Sequence, residues 1–317
     1  PDVFSQFVAR LGFALCCGAA VLVGEAGVCT SLLYTQRYSM KFICFGSGSS
    51  GNCYYLESNG TAILIDLGIG IRAFKRYMSN YGLTIPKIAA IVVTHDHTDH
   101  IKAVGPMAIT YRTPVYASQR VHEGIDRNRF MTKKIPAELR CVTSVNRVFE
   151  VGNFRITPFT VPHDSNDNNG YFIELIAPES AEMDAAKGVE LPTFCLITDA
   201  GQFTDEMIPF VQRAKYLVIE ANYDTEMLSN GRYPKYLQDR ITSGRGHLAN
   251  VLTAAALRTH LTPVTQRIWL CHLSEENNHP EKAATTVREA VDALPFSPKP
   301  MVEVLRRTVP SELMELQ

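Results

Sequence analysis

Ile88-Ala-Ala-Ile-Val-Val-Thr-His95-Asp96-His97-Thr98-Asp99-His100 is an unbroken apolar run that ends in three histidines and two aspartates. A continuous apolar run of this length reads as a strand buried on both faces. Side chains just past its carboxyl end fall at a sheet edge, where sites usually form. His95 and His97 alternate, so both can face one ion from an extended turn. Asp99 and His100 can face a second ion as the chain turns into a helix. Imidazole and carboxylate together suit Zn2+, and also Mn2+ or Fe2+. A solvated polar turn explains the stretch poorly, because three of the chain's nine histidines fall within six residues.

Three other apolar runs end in the same way, at Val161-Pro-His163-Asp164, Leu196-Ile-Thr-Asp199 and Leu270-Cys-His272. Each supplies one candidate ligand: His163, Asp199 and His272. Singly, each could be an ordinary capping residue. Together with the cluster they converge on one sheet edge, and all three are expected ligands.

Strands and helices alternate around these points. Strands are expected at 41–45, 53–57, 62–66, 88–93, 115–117, 147–150, 154–161, 171–176, 193–198, 216–220, 267–271 and 302–305. Helices are expected at 69–81, 101–111, 119–126, 205–213, 248–260 and 280–293, and a polar loop at 178–188. Two strand blocks, each trailed by helices, predict an α+β fold of two sheets face to face with helices outside. The hairpin-like strands in the middle argue against a single parallel sheet. Met40 opens the first strong strand, so the folded domain is expected at 40–306. Residues 1–39 read as an extension outside the fold; its apolar stretch at 11–24 is too short for a membrane span. Residues 307–317 read as a short tail.

The 317 residues carry a formal net charge of −1, with 46% hydrophobic and 20% charged residues. That is ordinary for a globular enzyme. It excludes a chain that grips nucleic acid by net charge alone, so a polyanionic substrate needs metal ions and a local patch. The eight cysteines form no Cys-x-x-Cys pair and lie mostly in apolar segments, as expected of reduced thiols in a cytoplasmic protein.

The ordered set His95/His97/Asp99/His100, His163, Asp199, His272 resembles the full motif series of the metallo-β-lactamase superfamily. That resemblance implies the four-layer αββα sandwich and a two-metal hydrolase. It places His95, His97 and His163 on a first ion, Asp99, His100 and His272 on a second, and Asp199 between them. Asp96 occupies a variable motif position, which implies a supporting or solvent-facing role. Gly46-Ser-Gly-Ser-Ser-Gly-Asn52, Glu220-Ala-Asn-Tyr-Asp224, Gly231-Arg-Tyr233, Gly246-His-Leu-Ala-Asn250 and His272-Leu-Ser-Glu-Glu-Asn277 resemble the YycJ-like (VicX/WalJ) branch. That branch implies DNA as partner and 5′→3′ exonuclease activity. Two divalent ions, Zn2+ foremost, would acidify a bridging water to a pKa of roughly 7, and the resulting hydroxide would attack phosphorus while Asp99 orients its proton.

His247 opens the expected helix at 248–260. In phosphodiesterase branches of the superfamily this position carries a histidine near the scissile phosphate, and a helix N-terminus attracts anions. It is assigned phosphate binding or proton donation. The Gly46–Asn52 loop offers Ser47, Ser49, Ser50 and Asn52 as a substrate-side wall, joined by Asn222 and Tyr223 and, more weakly, by Asn277. The loop is no Walker motif, and a tight strand-to-strand turn would explain it equally well. His122, His260 and His279 read as surface or cap residues. Arg127, Arg129, Lys133 and Lys134 read equally as a nucleic-acid contact or a solvated loop. Among other functions, hydrolysis of a small phosphodiester, thioester or lactam is the alternative. A di-iron oxidoreductase fits less well, since that class usually replaces the second histidine, here His97, with a carboxylate and adds a flavin domain. A non-catalytic accessory role would waste an intact ligand set.

Overall fold

Strand residues alternate between two apolar layers. In β1 (Met40–Gly46), Phe42 and Cys44 face one layer while Ile43 and Phe45 face another. A strand that is apolar on both faces must be covered on both faces. The computed structural model describes residues 39–176 and 191–317. The expected extension, apart from Ser39, and the loop expected at 178–188 lie outside the described residues.

The first sheet continues with β2 (Cys53–Ser58), β3 (Thr61–Ile65), β4 (Ile88–Val92), β5 (Val115–Ser118) and β6 (Arg140–Thr143). The second holds β7 (Phe149–Val151), β8 (Phe154–Thr160), β9 (Asn169–Leu175), β10 (Thr193–Ile197), β11 (Tyr216–Glu220), β12 (Arg267–Cys271) and β13 (Met301–Val304). The chain then returns to the first sheet as β14 (Met314–Leu316), giving the orders β14-β1-β2-β3-β4-β5-β6 and β13-β12-β11-β10-β9-β8-β7. Both sheets are mixed: antiparallel through β1–β3 and β7–β10, parallel from β3 to β6 and from β10 to β13.

Three apolar clusters define four layers. Phe42, Tyr54, Ile63 and Val92 of the first sheet meet Phe154, Ile173, Phe194 and Trp269 of the second between the sheets. Outside the first sheet lie α1 (Ile71–Asn80), α2 (Thr98–Ile101), α3 (Val104–Tyr111) and α4 (Gln119–Arg127), burying Phe74, Ile101, Met107 and Val121. On the second-sheet side lie α5 (Ile208–Arg213), α8 (Asn250–His260) and α9 (Pro280–Asp292), while the short α6 (Thr225–Ser229) and α7 (Lys235–Thr242) contribute Leu228 and Ile241 to a separate small cluster around Tyr223 and Ala249. Val211, Leu257 and Val287 of α5, α8 and α9 pack on that sheet. This is the αββα sandwich that the strand blocks imply. Among the described residues no helix is long and apolar enough to cross a membrane.

Two sequence expectations change. Residues 307–317 are not a trailing tail: Met314–Leu316 pairs antiparallel with Met40–Phe42 and covers the free edge of β1. An unpaired edge strand is otherwise a template for association. The helix expected at 101–111 is two helices, because the Ala103 amide donates to the Leu67 carbonyl instead of continuing the first turn.

Candidate metal centre

The strand ends carry the site. Asp66, Asp199 and His272 each follow a strand directly or by two residues, and each adopts a left-handed backbone with φ of 59°, 52° and 53°. That conformation costs an L residue about 1–2 kcal/mol. Its recurrence at three strand ends marks a geometry held by the surrounding structure for use.

The seven expected ligands come together. Donor atoms of His95, His97 and His163 lie within 4.8 Å of one another, as do those of Asp99, His100 and His272. Asp199 sits between the groups: its carboxylate is 3.7 Å from His163 Nε2, 3.6 Å from His272 Nε2 and 3.2 Å from His100 Nε2. His95 and His272 are buried, yet their Nε2 atoms have no hydrogen-bond partner. An orphaned buried imidazole nitrogen costs free energy unless something occupies its lone pair. With Asp199 shared, each triad offers four nitrogen and oxygen donors, the number a divalent ion such as zinc takes. The residues therefore fit a pair of cations.

Electrostatics agree. Burial, reinforced by His100, holds His95 well below its ordinary pKa, and burial also lowers His163. Neutral imidazole is the form that ligates. Burial pulls on His100 and His272 too, but Asp199, with Asp66 and Asp99 at His100 and with Asp99 and Glu220 at His272, outweighs it. His100 is driven well up and His272 rises to about 10. Despite its burial, Asp199 is held well below the carboxylate range by His272 and His100. The carboxylates of this pocket demand positive charge at its centre.

Two carboxylates that the sequence reading left without a role hold the histidines in place. Asp66 accepts from His100 Nδ1 at 2.7 Å and from the Thr94 amide and hydroxyl, each at 2.8 Å. Glu220 binds His247 Nδ1 at 2.8 Å and His272 Nδ1 at 3.2 Å, and accepts from the amides of Ala200 and Leu248. A carboxylate on the far nitrogen fixes the tautomer and ring orientation of a ligating histidine. The signal in the sequence was the same as for the ligands, a carboxylate at the end of an apolar run. His163 Nδ1 instead meets the Gly246 carbonyl at 3.0 Å.

The substrate-side wall needs correction. Ser47 is buried, its hydroxyl accepting from the His272 amide and meeting Tyr54 OH at 3.0 Å. Asn52 is buried too; it closes its own loop through Gly48 and reaches His100 Nε2 at 2.9 Å. Asn222 donates to the His272 carbonyl at 2.7 Å. Tyr223 packs with Leu228 and Ala249, and Asn277 is buried. These residues brace the centre from behind because polar side chains near a buried site must satisfy its backbone. Ser49 and Ser50 alone of the set are exposed. Asp96 is buried against Gly124 and accepts from the Asn166 amide and side chain, pinning the loop after His163. His122 is buried rather than at the surface, at 3.3 Å from the Cys141 carbonyl. His260 stacks on Phe203, and His279 caps α9.

Residues 61–273 match the family model of the β-lactamase superfamily domain. The fold is shared with Zn2+-bound PqqB from Methylobacterium extorquens at a TM-score of 0.61 and 14% identity, over 86% of this chain and 100% of that one. Together these define a member of the β-lactamase superfamily with the metallo-β-lactamase fold. Exodeoxyribonuclease YycJ of Bacillus anthracis is 32% identical over 81% of this chain and 91% of its own length. Exodeoxyribonuclease WalJ of Streptococcus pneumoniae (strain D39) is 31% identical over 80% of this chain and 88% of its own. The chain belongs to the β-lactamase superfamily, in its YycJ-like branch.

Proposed function

We propose that this chain is a phosphodiesterase that removes nucleotides from the 5′ end of DNA. His95, His97 and His163 would hold one divalent ion, Asp99, His100 and His272 a second, with Asp199 shared. The observation that carries the reading is the meeting of two ligand triads with the Glu220–His247 pair beside them. The names of the YycJ and WalJ relatives supply the substrate class. Zn2+ is the proposed metal, from the histidine-rich donor set. When bound, the ions supply a water acidified for attack and positive charge against the phosphate.

The chain's own residues do the rest. The Asp99 side chain is 23% exposed against 3% for Asp199, which supports a role for Asp99 in orienting the proton of the attacking group. His247 is half-buried at the helix entry, and its Nδ1 is committed to Glu220. Its Nε2 is thereby left for the substrate. Burial lowers the His247 pKa, but Glu220 outweighs it and raises it, which favours the protonated ring. That proton would pass from Nε2 to the leaving 3′ oxygen, with Glu220 balancing the charge. The five cysteines of the described residues are free thiols, which suits the reducing cytoplasm.

The test is digestion of single-stranded and duplex DNA labelled at either end, with bis-p-nitrophenyl phosphate and nitrocefin alongside. Release of the 5′ label as a mononucleotide is expected. Turnover of nitrocefin with DNA left intact would overturn the reading.

A further inference from the structure

Phe130 and Tyr236 are 81% and 75% exposed, the two most exposed large hydrophobic side chains among the described residues. Leaving an aromatic ring in water forfeits the burial that most aromatics achieve. Both rings stand in basic stretches: Arg127, Arg129 and Lys133 surround Phe130 and are exposed, and Arg232, Lys235 and Arg240 surround Tyr236.

Both stretches are tied to the same rim of the metal centre. Asn128 donates to the Asp96 carbonyl at 3.2 Å and to Thr98 Oγ1 at 3.3 Å, while its own Oδ1 accepts from the Phe130 amide at 3.0 Å. The Phe130 turn is thus pinned on the two neighbours of His97. Arg127 reaches Asn166 in the loop after His163. From the other side, Arg240 pairs with Asp164 at 2.5 Å. Tyr236 lies one helical turn before Arg240, on the same face of α7. Of the nearby acidic groups, Asp126 is taken up by Arg140, while Asp239 and Asp164 are matched by Lys235 and Arg240, so the cations without an ion pair among the described residues are Arg232 beside Tyr236 and Arg127, Arg129 and Lys133 beside Phe130. Lys134 is not part of the patch, since its ammonium is spent on the carbonyls of Ile125 and Asn128.

We propose that Phe130 and Tyr236 are base-stacking platforms for a single strand of DNA entering the centre on the His97–His163 side, with its phosphates on the exposed arginines. The inference rests on the nuclease reading above. Aromatic rings alternating with cations are what a single strand recognises irrespective of sequence: the rings take bases and the cations take phosphates. A protein partner would bury the rings but has no use for cations spaced among them.

The chain's single tryptophan, Trp269, is buried between the sheets, so a Phe130→Trp variant carries its own reporter at the rim. A phosphorothioate-linked thymidine octamer, which resists hydrolysis, should quench the new emission saturably in the metal-loaded protein. An abasic octamer of equal charge should leave it unchanged. On cleavable single-stranded DNA, Phe130→Ala and Tyr236→Ala should each raise KM about tenfold, the loss of one stacked base. Their kcat and their turnover of bis-p-nitrophenyl phosphate should not change, and Phe130→Trp should keep the original KM. Absence of quenching, equal quenching by the abasic octamer, or a KM within twofold of the parent for Phe130→Ala would each overturn the inference. If the parent protein hydrolyses bis-p-nitrophenyl phosphate but leaves DNA intact, the nuclease reading fails instead, and the quenching alone decides the stacking.

Discussion

Asp66 bonds His100 Nδ1 and both polar groups of Thr94, and it is wholly buried. Asp66→Asn can supply only one acceptor oxygen for these three donors, and its amide nitrogen cannot accept from the ring. Metal affinity at the second triad should fall about 10- to 100-fold. Competition with a chromophoric chelator measures it; unchanged affinity at both ions would contradict the role given to Asp66. His247→Ala should lower kcat on DNA about 10²- to 10⁴-fold, the usual worth of a general acid, with two ions still bound per chain. Loss of metal in that variant would instead make His247 a ligand. At this scale the proposed ligands were legible as candidates because each segment that carries them follows an apolar run. Asp66 and Glu220 follow such runs too, and they read only as strand ends. Their partners, His100 and His247, come from 34 and 27 residues further along the chain.

The loop after β3, together with Asn52 just before β2, is built to touch the start of α2. Asn52 donates its amide to the Asp99 carbonyl, Leu67 donates to the His100 carbonyl, and a Cβ on Gly68 would stand 1.5 Å from the Asp99 carbonyl oxygen. Gly68→Ala must push α2 away, so second-ion affinity should fall by at least tenfold and melting should come several degrees earlier; a variant that binds two ions as the parent does would contradict this packing. On β2, Tyr55 donates to the buried Glu57 carboxylate at 2.5 Å, and Lys87 pairs with it at 3.3 Å. Burial raises the carboxyl, but Tyr55 and Lys87 outweigh it and hold it below its ordinary value. The stabilisation is therefore complete above the unfolded carboxylate pKa and fades as pH falls through the lower folded value. Glu57→Gln should cost about 1–2 kcal/mol at neutral pH, and the gap to the parent should close in strong acid. Urea melts at pH 7 and pH 3 would show it; a gap that is equal at both would contradict it. Helices α6 and α7 were not legible, because Asn230, Gly231 and Pro234 break the apolar period between them. Strand β14 was missed because its partner, β1, lies some 270 residues earlier.

Across the whole molecule, the alternation of residues in each strand commits one face to the inter-sheet layer and the other to helices. That requirement made the sandwich readable before any contact was known. Convergence of His163, Asp199 and His272 on one edge was an expectation of the pattern; that Glu220 joins them follows from pairing β10, β11 and β12 in parallel, so that Asp199, Glu220 and His272 leave the same edge. The opposite sheet brings Asp66 and the 95–100 segment to that edge, and the two halves close on Asp199. The most direct test of this centre is an anomalous-difference map from a crystal of the zinc-loaded protein. Two peaks are predicted, one ringed by His95, His97 and His163, the other by Asp99, His100 and His272, with the Asp199 carboxylate reaching both. A single peak, or one coordinated by Glu220 and His247, would contradict the account.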